Sequence, residues 1–205
     1  MRALLFAVTA FALSGALAGA AQAQPAAAPT TQRAEGLVAA ISDTEITLDE
    51  GNGKNETIKL LPGWTVSVSR PIAVSEIAAG SYLGTTNYAK PDGTGRSVEV
   101  HVSPPGVKGP GVDFLMDASA NTTMTNGVVA TVVQSDGGRV LEINYGSGVR
   151  KVTVPPGTPV VLNSPGDKTM VKAGVRARIV TFTPPGGGTA RQFITVGPNG
   201  APPPG

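Results

Sequence analysis

From residue 36 onward, apolar positions recur at every second residue. Leu37, Ala39 and Ile41 alternate with smaller or polar neighbours, as do Ile46 with Leu48, Ile58 with Leu60, and Val98, Val100 with Val102. Further along, Leu141 and Ile143, Val152 and Val154, and Ile194 and Val196 repeat the pattern. Side chains two apart lie on one face of a strand, so each run predicts a strand with one apolar and one polar face. Gly51-Asn52-Gly53, Ser135-Asp136-Gly137-Gly138 and Gly146-Ser147-Gly148 separate the runs, and these residues tolerate the positive φ that tight hairpins need. Helical turns are predicted only at 74–79 and 168–172, one turn each.

The pattern occurs twice. Gly36-Leu37-Val38-Ala39-Ala40-Ile41 reads against Gly127-Val128-Val129-Ala130-Thr131-Val132, and Pro62-Gly63-Trp64-Thr65-Val66 against Pro156-Gly157-Thr158-Pro159-Val160. Gly80 matches Gly174, and Val100-His101-Val102 matches Ile194-Thr195-Val196, both 94 residues apart. Matching turns and alternation at a near-constant offset imply duplication. Short strands with a single apolar face must close on themselves or pair with another sheet. The expected fold class is all-β: two tandem small OB-like β-barrels joined by a Gly/Pro-rich linker, with a small β-sandwich as the competing arrangement. The units are expected at 34–104 and 126–198, each closing its own barrel around its own core. Segment 105–125 is expected as a linker carrying an apolar knot, Phe114-Leu115-Met116, which packs on a barrel or docks a partner. Segments 24–33 and 199–205, rich in Pro, Ala and Gly, are expected as disordered tails.

At the N-terminus, Arg2, an apolar run over 3–17 and Ala21-Gln22-Ala23 form a secretory signal with an A-x-A cleavage site. Cleavage after Ala23 and a periplasmic location are expected. No later segment approaches the ~20 apolar residues of a membrane-spanning helix, so the processed chain is not expected to be transmembrane.

Composition narrows the chemistry. The 205 residues include 27 Gly and 18 Pro, nearly twice the usual share. With no Cys, disulfides, thiolate metal sites and cysteine nucleophiles are excluded. The single histidine, His101, is out of phase with Val98, Val100 and Val102 and is expected to face solvent or the linker; no Gly-x-Ser-x-Gly elbow accompanies it. Met116, Met124 and Met170 have no spacing that converges two ligands on one element. Counted from Asp49, the acidic turn places Gly51 at position three and Lys54 at position six, which fails the EF-hand pattern. No Gly-x-Gly-x-x-Gly or P-loop is present. No cofactor, metal site or catalytic residue is expected.

Charge is what remains. Residues 34–103 hold 5 basic and 9 acidic side chains, and residues 126–199 hold 8 basic and 3 acidic. The second unit therefore offers a candidate anion-binding face formed by Arg150, Lys151, Lys172, Arg176, Arg178 and Arg191, with Arg176 and Arg178 projecting outward from one strand. Few aromatics accompany it, which disfavours nucleic acid as the partner. An anionic ligand or an envelope protein is the expected partner class. A competing use of the asymmetry is attraction between the acidic and basic units.

Thr123-Met124-Thr125-Asn126, Val154-Pro155-Pro156-Gly157-Thr158-Pro159-Val160-Val161 and Val196-Gly197 resemble a family of exported proteobacterial tandem OB-like proteins of uncharacterised function. Its members often carry an automatic label as metal ABC transporter permeases. A permease needs several membrane spans, which this sequence lacks. Family members carry a Gly-Glu-Gly-His-Arg-Pro-Trp stretch in the linker. Here Gly109-Pro110-Gly111-Val112-Asp113-Phe114 stands in its place. The expected function is a non-enzymatic binding or structural accessory protein of the envelope, with a metal-handling accessory factor, suggested by the family's label, as the alternative.

Overall fold

The computed structural model describes residues 30–117 and 119–204. The expected signal peptide, and the part of the expected tail at 24–29, lie outside the described residues. The first repeat forms β1 (Thr30–Ile41), β2 (Glu45–Gly51), β3 (Lys54–Lys59), β4 (Thr65–Pro71), β5 (Tyr82–Ala89) and β6 (Gly95–Val102). The second forms β8 (Thr122–Ser135), β9 (Gly138–Asn144), β10 (Val149–Val154), β11 (Val160–Gly166), β12 (Arg176–Thr183) and β13 (Arg191–Val196). Between them, β7 (Val112–Asp117) pairs antiparallel with β8. The one-turn helical stretches appear as 3-10 turns at Val74–Glu76 and Lys168–Met170. Each precedes a glycine, Gly80 or Gly174, at φ +85°, a backbone region that favours residues without Cβ.

The fold is all-β and OB-like. Strand β8 pairs with β9, β9 with β10, β10 in parallel with β6, β6 with β5, and β5 back with β8. This closes a five-stranded barrel around Leu83, Val100, Val129, Leu141, Ile143 and Val152, all 1% exposed or less. A second barrel-like sheet runs β4-β13-β12-β1-β2-β3 around Val38, Ile46, Leu48, Ala177, Ile179 and Ile194. No backbone ladder joins β3 to β13 among the described residues. The Gln192 side chain spans the seam instead, donating to Lys59 O (3.2 Å) and accepting from Leu61 N (3.0 Å).

The two sequence units do not each enclose their own core. The closed barrel takes β5 and β6 from the first repeat and β8, β9 and β10 from the second. The other takes β1–β4 from the first and β12 and β13 from the second. The final strand pairs are thus exchanged between the halves. Strands β4 and β11 pair antiparallel at the centre, and each carries its chain across to the opposite barrel. Alternation cannot distinguish the two closures, because equivalent strand pairs present the same apolar face to either barrel. Pairings correspond between the two barrels. Ala177 lies opposite Gly36 just as Leu83 lies opposite Gly127, and Ile194 beside Val66 just as Val100 lies beside Val160. The bulge that bends β1 between Val38 and Ala40 recurs in β8 between Val129 and Thr131.

Three segments expected as linker or tail are structured. The linker knot is β7 itself, with Phe114 half-buried and Leu115 and Met116 exposed on the outside of the closed barrel. Strand β8 begins at Thr122, inside the expected linker. At the N-terminal end, Thr30–Arg33 pair with Thr183–Val180 in β1 and β12. At the C-terminal end, Pro203 is buried, and Pro204 O accepts a hydrogen bond from Arg178 Nη1 at 3.0 Å. These segments join the fold because each meets an unsatisfied strand edge or arginine fork.

Candidate ligand cleft and the placement of the basic residues

Strand exchange divides the six basic candidates between the barrels. Arg150 and Lys151 lie on β10 in the closed barrel, whereas Lys172, Arg176, Arg178 and Arg191 belong to the other. They do not form one face. Three of them are held by carboxylates. Arg150 Nη2 lies 2.8 Å from Asp113 Oδ2 on β7, Lys151 Nζ lies 3.3 Å from Glu142 Oε1, and Arg178 Nη2 lies 2.8 Å from Glu35 Oε2. Val175, Ala177 and Ile179 point into the core as the alternation requires. Arg178 points away from that core, yet it is only 7% exposed, because Glu35 and the C-terminal segment cover it. The expected outward projection of Arg178 is thus corrected. Its position opposite Glu35 in the β1–β12 ladder makes the two cross-strand neighbours. Lys172, Arg176 and Arg191 keep no ion-pair partner among the described residues.

His101 stands on β6 where that strand meets β11, half-exposed. Its Nδ1 is 3.0 Å from Asn163 Nδ2 and its Nε2 is 3.4 Å from Glu99 Oε2. The Asn163 amide donates to Nδ1, which leaves the ring proton on Nε2, facing the carboxylate. Thr86 Oγ1 donates to Glu99 Oε1 at 2.9 Å. The His101 hydrogen bond draws the Glu99 carboxyl down to about 2, against the opposing effect of burial, with Thr86 and the Arg33 charge assisting. Both imidazole nitrogens are thereby occupied by Asn163 and Glu99. No group of three or more His, Asp or Glu side chains converges among the described residues.

The concavity that composition did not reveal lies beside the closed barrel. Arg70 at the end of β4, Ile72, Val102 at the end of β6, Leu162 on β11 and the loop 103–108 surround a cleft of about 500 Å³, within the range of small-molecule sites. A second recess of about 280 Å³ shares Tyr82 and Lys108 with it. Tyr82 Oη donates to Pro110 O at 2.8 Å, which ties the loop down between the two recesses. Burial raises the Tyr82 hydroxyl above its ordinary value, so it stays a neutral donor. Glu76, also at the cleft, is engaged by Ala73 N at 2.9 Å. Arg70 is exposed, as is Lys108, and neither has a partner among the described residues.

The second barrel carries the corresponding strap. Pro198-Asn199-Gly200 stands 94 residues after Pro104-Pro105-Gly106, and Pro204 O accepts a hydrogen bond from Arg178 on β12, as Pro110 O does from Tyr82 on β5. That recurrence was the available sequence signal for the cleft. It is a match between two loops, which a search for alternating strands passes over. Among the described residues, no helix is long and apolar enough to cross a membrane. Comparison with protein-family models, with curated proteins and with solved structures finds no match.

Proposed function

We propose that the protein is an exported, non-enzymatic binding module whose ligand is a small anion with an aliphatic body, seated in the cleft beside the closed barrel. The observation that carries this reading is the pairing of two unpartnered cations, Arg70 and Lys108, with the aliphatic side chains of Ile72, Val102 and Leu162 in one cleft. Exposed cations attract an anion with a strength that salt screens, while the aliphatic lining favours burial of an apolar body. The six basic candidates of the second unit support this role less well, because three of them already hold carboxylates. The non-enzymatic reading rests on His101, whose two ring nitrogens are committed to Asn163 and Glu99. Export rests on the signal sequence at 1–23, and N-terminal sequencing of the processed protein is expected to begin at Gln24.

The test is calorimetric titration with octanoate and with octanol at two salt concentrations. Octanoate is expected to bind, more weakly in high salt, and octanol to bind weakly or not at all. The double variant Arg70→Ser, Lys108→Ser is expected to lose about tenfold in affinity, since each exposed charge contact contributes up to ~1 kcal/mol. Equal binding of acid and alcohol, unchanged binding by the variant, or no binding of octanoate would refute the reading.

A further inference from the structure

The recess of about 280 Å³ beside the closed barrel differs in character from the larger cleft. Its walls include two aromatic rings, Tyr82 and Tyr145, with Lys108 and Asn144 at hand. Tyr82 and Lys108 line the larger cleft as well, so they stand where the two hollows adjoin. A glycine makes room for each phenol end. A Cβ on Gly109 would lie 2.7 Å from Tyr82 Oη, and one on Gly148 would lie 2.5 Å from Tyr145 Oη. Tyr145 N donates to Gly148 O at 3.0 Å, which holds the turn that carries the second ring.

The other barrel forms the matching strand pairings without these rings. Tyr82 lies opposite Val128 as Arg176 lies opposite Leu37, and Asn144 lies opposite Val128 as Asp49 lies opposite Leu37. Arg176 therefore matches Tyr82, and Glu50, the residue after Asp49, matches Tyr145. Gly109 is matched 94 residues later by Pro203, which is buried. The pairings do not need the tyrosines, and the strap does not need a glycine there.

The polar groups around the rings point to a ligand class. A tyrosine offers an apolar face and a polar tip. Tyr82 Oη is committed to Pro110 O, whereas Tyr145 Oη has no partner among the described residues. Asn144 Oδ1 accepts from Gly146 N at 2.9 Å, and its amide nitrogen has no partner among the described residues. A hydroxyl that donates and accepts, an amide donor and an ammonium beside aromatic faces suit a ring with apolar C–H faces and hydroxyl edges, which is a sugar. The order along the two hollows is then rings, Lys108, and the aliphatic lining of the larger cleft. A carboxylate is a terminal group and cannot join a sugar to an aliphatic chain while keeping its charge. A phosphodiester can.

We propose that the ligand is an alkyl glycosyl phosphate, with its sugar in the recess of Tyr82 and Tyr145, its phosphodiester at Lys108 and its alkyl chain in the larger cleft. This rests on the reading of the larger cleft given above and adds the sugar seat to it.

The test is calorimetric titration of the processed protein with octyl phosphate and with octyl glucosyl phosphate. The glycosylated probe is expected to bind about tenfold more tightly, as for one aromatic face and one new hydrogen bond. Tyr145→Ala is expected to abolish that difference while leaving octyl phosphate affinity unchanged, which also shows that the variant is folded. Tyr145→Phe is expected to keep most of the difference, since the ring face remains. Equal affinity of the two probes, or a difference that survives Tyr145→Ala, overturns the sugar seat and leaves the reading of the larger cleft standing. Loss of octyl phosphate binding in Tyr145→Ala overturns it too, by making the ring part of the cleft itself. Failure of both probes to bind the unaltered protein overturns both readings together.

Discussion

Glu35 and Arg178 lie opposite each other across the β1–β12 ladder, joined by two contacts, Nε to Oε2 at 2.9 Å and Nη2 to Oε2 at 2.8 Å. One belongs to the acidic first repeat and the other to the basic second. The charge asymmetry of the sequence is therefore spent partly inside the molecule, in holding exchanged strands together. Removing Arg178 leaves a carboxylate without its partner and Pro204 O without its donor. Arg178→Ala is expected to cost about 2–3 kcal/mol, at the low end for a buried pair because Glu35 remains partly hydrated. Glu35→Gln is expected to cost less, since its amide still accepts a hydrogen bond. Urea denaturation of both single variants and of the double variant gives the coupling. Values that add without coupling would show that the pair contributes nothing specific.

Strand exchange also predicts how the chain responds to being cut. Trp64, the only tryptophan, is buried in the core completed by β12 and β13, with Lys168 Nζ 4.2 Å from its ring centroid. A chain severed at Gly106 places Trp64 on one fragment and Lys168 with β12 and β13 on the other. Each fragment alone is expected to self-associate or remain unfolded, and Trp64 fluorescence is expected to shift to the blue only on mixing, as a one-to-one complex forms. A monomeric fragment with buried Trp64 would contradict the exchange.

The alternation of Leu141 with Ile143 and of Val152 with Val154 placed the strands, and the matched glycines placed the turns, because both depend on neighbours two or three residues away. What could not be read was partner choice. Leu83 packs with Val129 rather than with Val38, and nothing in a run of alternating Val and Leu distinguishes these. Arg178 was legible as pointing away from the core, but not as covered, since its cover comes from Glu35 and Pro204, 143 and 26 residues distant. The cleft escaped notice for a similar reason. Arg70 and Lys108 share a cleft only because the end of β4 and the 103–108 loop, distant in the chain, both line it.

Acid stability carries the signature of Glu99. Its carboxyl titrates near 4.5 without the fold and at about 2 within it, chiefly through the His101 hydrogen bond. The ionised form is thus favoured by folding. Its contribution is complete above about pH 4.5 and is lost as pH falls toward 2. Glu99→Gln is expected to lower the urea midpoint at pH 6 and to narrow its difference from the unaltered protein between pH 4.5 and 2. Parallel midpoint-versus-pH curves for the two proteins would show that Glu99 does not supply this dependence.

The corresponding pairings of the two barrels make a paired prediction at Gly36 and Gly127. Gly36 stands on β1 where it meets β2, and Gly127 on β8 where it meets β9, each just before the corresponding bulge. A Cβ on Gly36 would lie 2.6 Å from Asp49 O, and one on Gly127 would strike Asn144 O and crowd Ile143. Asp49 and Asn144 are equivalent residues at the ends of equivalent hairpins. The obstructing atoms are backbone, so no rotamer change relieves them, and the strands must separate or the bulge must move. Overpacking of this kind costs about 1–3 kcal/mol, and Gly127→Ala is expected toward the upper end because its barrel is closed by backbone ladders on every side. Gly36→Ala is expected to cost less, since the β3–β13 seam, spanned by the Gln192 side chain, can open. Gly137→Ala provides the control: its Cβ would meet nothing nearer than Ser135 Oγ at 4.0 Å, and a change within ~0.5 kcal/mol is expected. Thermal melts of the three variants test the order. Equal loss at Gly36 and Gly137 would mean that the β1–β2 crossing is looser than the β8–β9 crossing, and the correspondence of the two barrels would then hold for strand pairing and not for packing.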